Sequence, residues 1–168
     1  MKAAVIGVGH LGKHHARILA TLPGVSLAGV VDVNRDRAEK IAGEYGTRAF
    51  ANVNEIPDQL DLVVIAVPTE RHAAIALPLI ESGVHALVEK PVTQTVEEAD
   101  TLIAAARRKG VVLAVGHSER FNPAVVVNSA VWGQVDGFHA ALARFLLVLP
   151  LQHNRPGPVA VRPRPHLM

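Results

Sequence analysis

The stretch Val5–Gly12, "VIGVGHLG", decides the fold. It ends the near-continuous apolar run "KAAVIGV" (Lys2–Val8), the pattern of a parallel strand buried on both faces. Gly7, Gly9 and Gly12 then fall in the spacing G-x-G-x-x-G, and "HLGKHHARILATL" continues as a helix. Each glycine has a physical task. Gly7 allows a tight turn, Gly9 lets the backbone approach a pyrophosphate, and Gly12 lets the helix pack close to the strand. The helix N-terminus, with Val8, His10 and Leu11 in its approach, offers free N–H groups to phosphates. Such spacing alone is weak. Here it follows a strand, opens a helix and has an acid twenty residues on, Asp32, closing the second strand "VSLAGVVD" (Val25–Asp32).

Asp32 suits the ribose hydroxyls of NAD and repels the 2′-phosphate of NADP, so NAD is expected and NADP less so. Arg35 and Arg37 lie close behind. They either hold a 2′-phosphate or belong to a solvated helix face, the commoner case. The competing reading of the whole motif is a structural glycine turn in another α/β fold, with Asp32 a helix cap.

Outward from this stretch, strand and helix alternate. Leu11, Ile18, Leu19 and Leu22 lie on one side of the first helix. "NRDRAEKIAGEYG" is a second helix, with Asn34 a capable N-cap and Gly46 a plausible stop. "RAF" is a short strand and "NVNEIPD" about a turn of helix. "DLVVIAVP" (Asp61–Pro68) and "VHALVEK" are strands, "ERHAAIALPLIESG" and "TVEEADTLIAAARRKG" helices, and "VVLAVGH" a sixth strand. "FNPAVVVNSAVW" begins another helix. The fold class is α/β: a doubly wound parallel sheet of the Rossmann kind. Ligands of such sheets bind outside the carboxyl ends of the strands. Those ends are Gly7–Gly12, Asp32, Ala66–Thr69, Glu89–Pro91 and Gly116–Arg120.

In "AVPTERH", Ala66, Val67 and Pro68 end the central strand, Thr69 can cap the next helix, and His72 reads equally as a surface histidine. In "LVEKPV", Glu89 and Lys90 stand at the carboxyl edge and Pro91 fixes the loop. Lys90 could bond a substrate hydroxyl and stabilise charge as a hydride leaves its carbon, or join a proton relay. The bland reading is a surface Glu–Lys pair worth little. His117 and Arg120 face the same edge, as cofactor or substrate contacts or as neither. His14 and His15, adjacent on a helix, face different sides and make a poor metal pair; no metal site is expected.

Composition narrows the classes. The chain has 168 residues, 49% hydrophobic and 4% aromatic, so Val, Ala, Leu and Ile must build the core. With no cysteine, disulfides and thiolate sites are excluded. A net charge of +2 does not argue for nucleic acid, and no run of about 18 apolar residues suggests a membrane span. The N-terminal run is too short and glycine-broken for a signal peptide, so the cytoplasm is the expected compartment. After Asp136 there is no acidic residue, and the tail is rich in Pro and Arg.

"VIGVGHLGKHHARIL", "VVD", "AVPTERH", "LVEKPV" and "GHSERFNP" occur in this order. Together, over about 1–127, they resemble the N-terminal half of the glucose–fructose oxidoreductase/inositol dehydrogenase/rhizopine catabolism (Gfo/Idh/MocA) family. The most specific element is Glu89-Lys90-Pro91. The resemblance implies an NAD(P)-dependent oxidoreductase acting on a hydroxyl of a sugar, sugar nucleotide or cyclitol, in a family whose second half commonly pairs subunits, which leaves a homo-oligomer open. It makes Lys90 the catalytic residue, reaching nicotinamide and substrate, with Glu89 and Pro91 shaping the pocket. "GHSERFNP" looks most like members that oxidise nucleotide-linked amino sugars. The cofactor set is then Gly7, Val8, Gly9, His10, Leu11, Gly12, Asp32, Ala66, Val67, Pro68, Thr69, His72, Glu89, Lys90 and His117.

Family members are roughly twice as long, and their second half, an open antiparallel sheet, carries an Asp/His motif that nothing here matches. His139, His153 and His166 lie in irregular sequence without acids nearby. The expected division is therefore a cofactor domain at 1–120 and, at 121–168, a linker helix with an incomplete remnant of an α+β domain. "FLLVLPL" (Phe145–Leu151) reads as an orphaned strand, and the tail composition fits a GC-rich gene read out of frame. Such a chain is expected to bind cofactor and turn over poorly. The rival expectations are a non-catalytic NAD(H)-binding module that pairs through its tail, and a dehydrogenase completed by a separate chain.

Overall fold

The computed structural model describes residues 1–56 and 59–117. Its elements run β1 (Lys2–Ile6), α1 (Gly12–Thr21), β2 (Ser26–Val31), α2 (Arg35–Tyr45), β3 (Ala49–Phe50), a 3₁₀ turn (Val53–Glu55), β4 (Leu62–Ile65), a second 3₁₀ turn (Thr69–Arg71), α3 (His72–Glu81), β5 (His85–Val88), α4 (Val96–Lys109) and β6 (Leu113–Val115). The strands form one parallel sheet in the order β3-β2-β1-β4-β5-β6. This is the expected doubly wound sheet. The order reverses between β1 and β4, and ligands of such sheets sit at that switch point.

The apolar runs follow from burial on both faces. Along β1, Ala4 and Ile6 join one core while Ala3 and Val5 join the other. Along β4, Val63 and Ile65 face the first and Val64 the second. The first core is closed by Ala76 and Ile80 of α3 and Leu102, Ala105 and Ala106 of α4. The second is closed by Ala16 and Leu19 of α1 and Ile41 and Ala42 of α2. A period of two with both phases apolar reads as a continuous run.

The helix ends follow local chemistry. Asn34 Oδ1 accepts from Arg37 N at 2.9 Å, and Gly46 closes α2 in the left-handed region (φ 65°). Thr95 and Glu98 form a reciprocal capping box on α4, whose last turn carries Arg107, Arg108 and Lys109 against the helix dipole. Gly24, Gly46, Gly83 and Gly110, all with positive φ, lie in the four turns that lead from helix to strand.

Two expectations are corrected. Leu19 is the one of the four named apolar residues on α1 that is buried; Leu11, Ile18 and Leu22 are each more than 40% exposed. The helix instead packs through Gly12, Ala16 and Leu19, spaced i, i+4, i+7. Small residues let it approach the sheet closely: a Cβ at Gly12 would lie 1.7 Å from the Gly7 carbonyl oxygen. Thr69 does not cap α3. It opens the 3₁₀ turn, and α3 begins at His72 with no side-chain cap.

The expectations for the helix at Phe121–Trp132, the segment Phe145–Leu151, Arg120, the three tail histidines and the 120/121 boundary lie outside the described residues. Among the described residues no helix is long and apolar enough to cross a membrane, and no three His, Cys, Asp or Glu are grouped to hold a metal.

Candidate functional site

The carboxyl ends of β1, β2, β4 and β5 open into one cleft of about 620 Å³. Gly7, Gly9, His10, Leu11, Asp32, Ala66, Val67, Pro68, Glu89 and Lys90 line it, ten of the fifteen residues that sequence reasoning assigned.

The glycine turn comes first. Gly7 has φ 86°, and a Cβ there would sit 2.6 Å from the Ala66 carbonyl oxygen. Gly7 and Gly12 are thus glycines for the sake of the fold. Gly9 is different. Its φ is not in the left-handed region, and a Cβ there would meet nothing nearer than Arg37 Nη1 at 3.7 Å. Nothing among the described residues demands a glycine at this point, yet it lines the cleft before the N-terminus of α1. The room above it is what a closely approaching pyrophosphate needs.

Asp32 follows β2. It is 7% exposed. Its Oδ2 accepts from Val8 N at 2.9 Å and its Oδ1 from Asn34 N at 2.8 Å. It therefore ties the glycine turn to the start of α2, while Asn34, not Asp32, caps that helix. Arg37 Nη1 lies 3.5 Å from Asp32 Oδ2. A carboxylate offers about four lone-pair sites, so with these three donors in place about one remains for a ribose hydroxyl, and a second opens if Arg37 swings away. Arg35 is engaged elsewhere. Its Nε donates to Glu39 Oε1 at 2.7 Å along the exposed face of α2, and that hydrogen bond and charge push its pKa up. The solvated-face reading thus describes Arg35, while Arg37 belongs to the cleft.

At the other end stands Glu89, 7% exposed. Its Oε1 accepts from His15 Nε2 at 2.7 Å, and its Oε2 accepts from Lys90 N at 3.2 Å. The Glu-Lys sequence is therefore not a surface ion pair. The acid is buried against α1, and exposed Lys90 has no ion-pair partner among the described residues.

The surface reading of His72 is corrected: the residue is an internal clamp. It is 1% exposed. Its Nδ1 lies 3.0 Å from the Pro91 oxygen and 3.3 Å from that of Val92, and its Nε2 lies 2.9 Å from the Val67 oxygen. The ring stands beneath the cleft and joins the loops after β4 and β5. Val8 and Gly12 are buried in the turn itself, and Thr69 is not on the wall. His117 is off the wall too; its Nδ1 is buried with no hydrogen-bond partner among the described residues.

Sequence reasoning missed Val33, Ala51–Val53, Arg71, Ile75 and His15. The first two groups directly follow β2 and β3 and lie at the same edge, a signal available from the strand ends. Nothing local marks His15, whose partner is 74 positions away. A second groove, about 690 Å³, lies between α1 and α2. Lys13, Arg17, Arg37 and Lys40 ring it over Val8, Ile41 and Tyr45, and Arg37 borders both spaces.

Residues 1–117 match the family described as oxidoreductase, NAD-binding Rossmann fold (GFO_IDH_MocA). The chain is 46% identical over 125 residues to a UDP-N-acetylglucosamine 3-dehydrogenase of Acidithiobacillus ferrooxidans, covering 74% of this chain and 39% of that protein. It is 36% identical over 129 residues to an NAD-dependent scyllo-inositol 2-dehydrogenase of Bacillus subtilis, covering 74% and 37%. It spans about two fifths of the length of these curated relatives. Among solved structures, the UDP-N-acetylglucosamine 3-dehydrogenase of Acidithiobacillus ferrooxidans superposes with a TM-score of 0.71 at 44% identity, over 78% of this chain and 43% of the other. GenD2 from gentamicin A biosynthesis, in complex with NAD, superposes with a TM-score of 0.75 at 34% identity, over 80% and 39%.

Proposed function

The chain belongs to the Gfo/Idh/MocA oxidoreductase family, with its NAD-binding Rossmann fold, and from that premise we propose that it is the cofactor-binding part of an NAD-dependent dehydrogenase of sugar-type substrates. The observation that carries the reading is the open room over Gly9, a glycine the fold itself does not require. A bound nicotinamide dinucleotide supplies the hydride acceptor. The chain's own residues do the rest. The first amides of α1 meet the pyrophosphate charge. Asp32 accepts from the adenosine ribose hydroxyls, and its fixed negative charge disfavours a 2′-phosphate. Ala66, Val67 and Pro68 form an apolar wall that excludes water. Lys90 holds the ring hydroxyl of the substrate and moves its proton.

The relatives named above act on a nucleotide-linked amino sugar and on a cyclitol. A polyhydroxylated ring, free or nucleotide-linked, is accordingly the substrate class proposed for this chain, and subunit pairing is proposed with it. Arg37, which borders the second cationic groove, is the feature on the side of NADPH. Asp32, held in place by two backbone amides, is the feature against it.

The test is titration of the purified chain with NADH and NADPH, followed by nicotinamide fluorescence. NADH is expected to bind saturably and more tightly than NADPH. Asp32→Ala should weaken NADH about tenfold or more, the scale of a hydrogen bond to a charged group. A folded chain that binds neither dinucleotide overturns the reading. Tighter NADPH binding overturns the NAD preference alone.

A further inference from the structure

The cleft has two functional ends, and one partly buried pair links them. Glu89 leaves β5 with its carboxylate turned inward. His15 Nε2 donates to Oε1 at 2.7 Å, and the Lys90 amide donates to Oε2 at 3.2 Å. Gly116, just past β6, makes the space: a Cβ there would lie 2.7–2.9 Å from three atoms of the carboxyl group. Among the described residues no lysine or arginine pairs with Glu89. A carboxylate so buried is too costly to leave unpaired, so His15 is the partner that keeps it in place. His15 stands on α1, within one turn of Gly12, on the helix whose first amides face the glycine turn. Its side chain is 24% exposed, and the bond spans 74 positions of sequence.

We propose that His15 is a positioning residue for Lys90, acting through Glu89, so that the helix receiving the phosphates also sets the lysine at the nicotinamide end. This rests on the cofactor reading given above. Glu89 touches both the cleft and its neighbour's amide, and Lys90 has no ion-pair partner of its own among the described residues. The direction of the loop is then set by where the Glu89 carboxylate is held. A change at His15 should therefore be felt at one end of the dinucleotide and not at the other.

The experiment compares NADH with ADP-ribose, which keeps the adenosine and pyrophosphate but lacks the nicotinamide. Both affinities are measured by calorimetry on the whole chain, for wild type, His15→Ala and His15→Gln. His15→Ala is expected to weaken NADH about tenfold and to leave ADP-ribose within about twofold. His15→Gln, whose amide can donate to Oε1, is expected to restore NADH. If His15→Ala does not fold, His15→Leu replaces it, filling similar space without a donor. An equal loss for both ligands overturns the proposal, because a merely structural pin would act so. Unchanged NADH affinity also overturns it. Wild-type chain that binds neither ligand overturns the cofactor reading together with this one, so the two failures are distinguishable.

Discussion

Replacing Gly9 and Gly12 one at a time should separate folding from binding within a single turn. At Gly12 the added Cβ would lie 1.7 Å from the Gly7 oxygen and 2.8 Å from its carbonyl carbon. The first contact is about 1.5 to 2 Å short of normal separation, against backbone that cannot rotate away. Overpacking of this kind costs at least about 1–3 kcal/mol, and here the top of that range or more, from a total of about 5–15 kcal/mol. At Gly9 the nearest atom is 3.7 Å away, at the end of a flexible arginine. Gly9→Ala should therefore fold as well as wild type, or gain up to about 1 kcal/mol from a stiffer unfolded chain. That is a rise of at most about 4–6 °C in Tm for a domain of this size. NADH affinity, in contrast, should fall at least about tenfold, or about 1.4 kcal/mol, because the methyl occupies the approach of the pyrophosphate. The assay is urea unfolding beside NADH fluorescence titration for both variants. Wild-type NADH affinity in Gly9→Ala would refute the reasoning, and so would a destabilisation as large as that of Gly12→Ala.

Two further outcomes follow from the geometry. His72→Leu removes the ring contacts to the Val67, Pro91 and Val92 oxygens, and should cost about 1–3 kcal/mol by urea unfolding; a loss below about 0.5 kcal/mol would sink the clamp reading. Glu97, in the first turn of α4, has its pKa held below the usual glutamate value, chiefly by its own backbone amide and then by the Thr95 side chain. A lowered folded pKa means that the stabilisation is present above the unfolded value and is lost as pH falls through the folded one. Glu97→Gln should accordingly be slightly less stable than wild type at neutral pH, with the difference closing below the folded midpoint. A carboxyl midpoint above the usual value by NMR titration would contradict this.

Much of the fold was legible because its signals are local. Both phases of β1 and β4 are apolar, the glycine spacing sits at a strand–helix junction, and Asn34 and Gly46 mark helix ends within a few residues. The packed side of α1 is not legible from its largest apolar residues, because the small Gly12 and Ala16 make the contact beside Leu19. The site was legible where it follows strand ends, as at Asp32, Ala66–Pro68 and Glu89–Lys90. It was illegible where residues distant in sequence meet. Neither the burial of Glu89 against His15 nor the carbonyls around His72 leaves a trace in any short window. A histidine in the first turn of a helix reads the same whether it faces water or the underside of a cleft.

The turns at Gly24, Gly46, Gly83 and Gly110 all lie at the amino edge of the sheet, and a Cβ at any of them would meet open space. The residues lining the cleft belong to the opposite edge. The molecule is thus divided into two rims that can be engineered independently. Changes on the first rim act through backbone conformation and register in melting curves alone. Changes on the second register in ligand affinity. A reporter or surface tether grafted into the loop at Gly24 or Gly83 would leave the cleft's chemistry intact, with the length of the strands as its insulation.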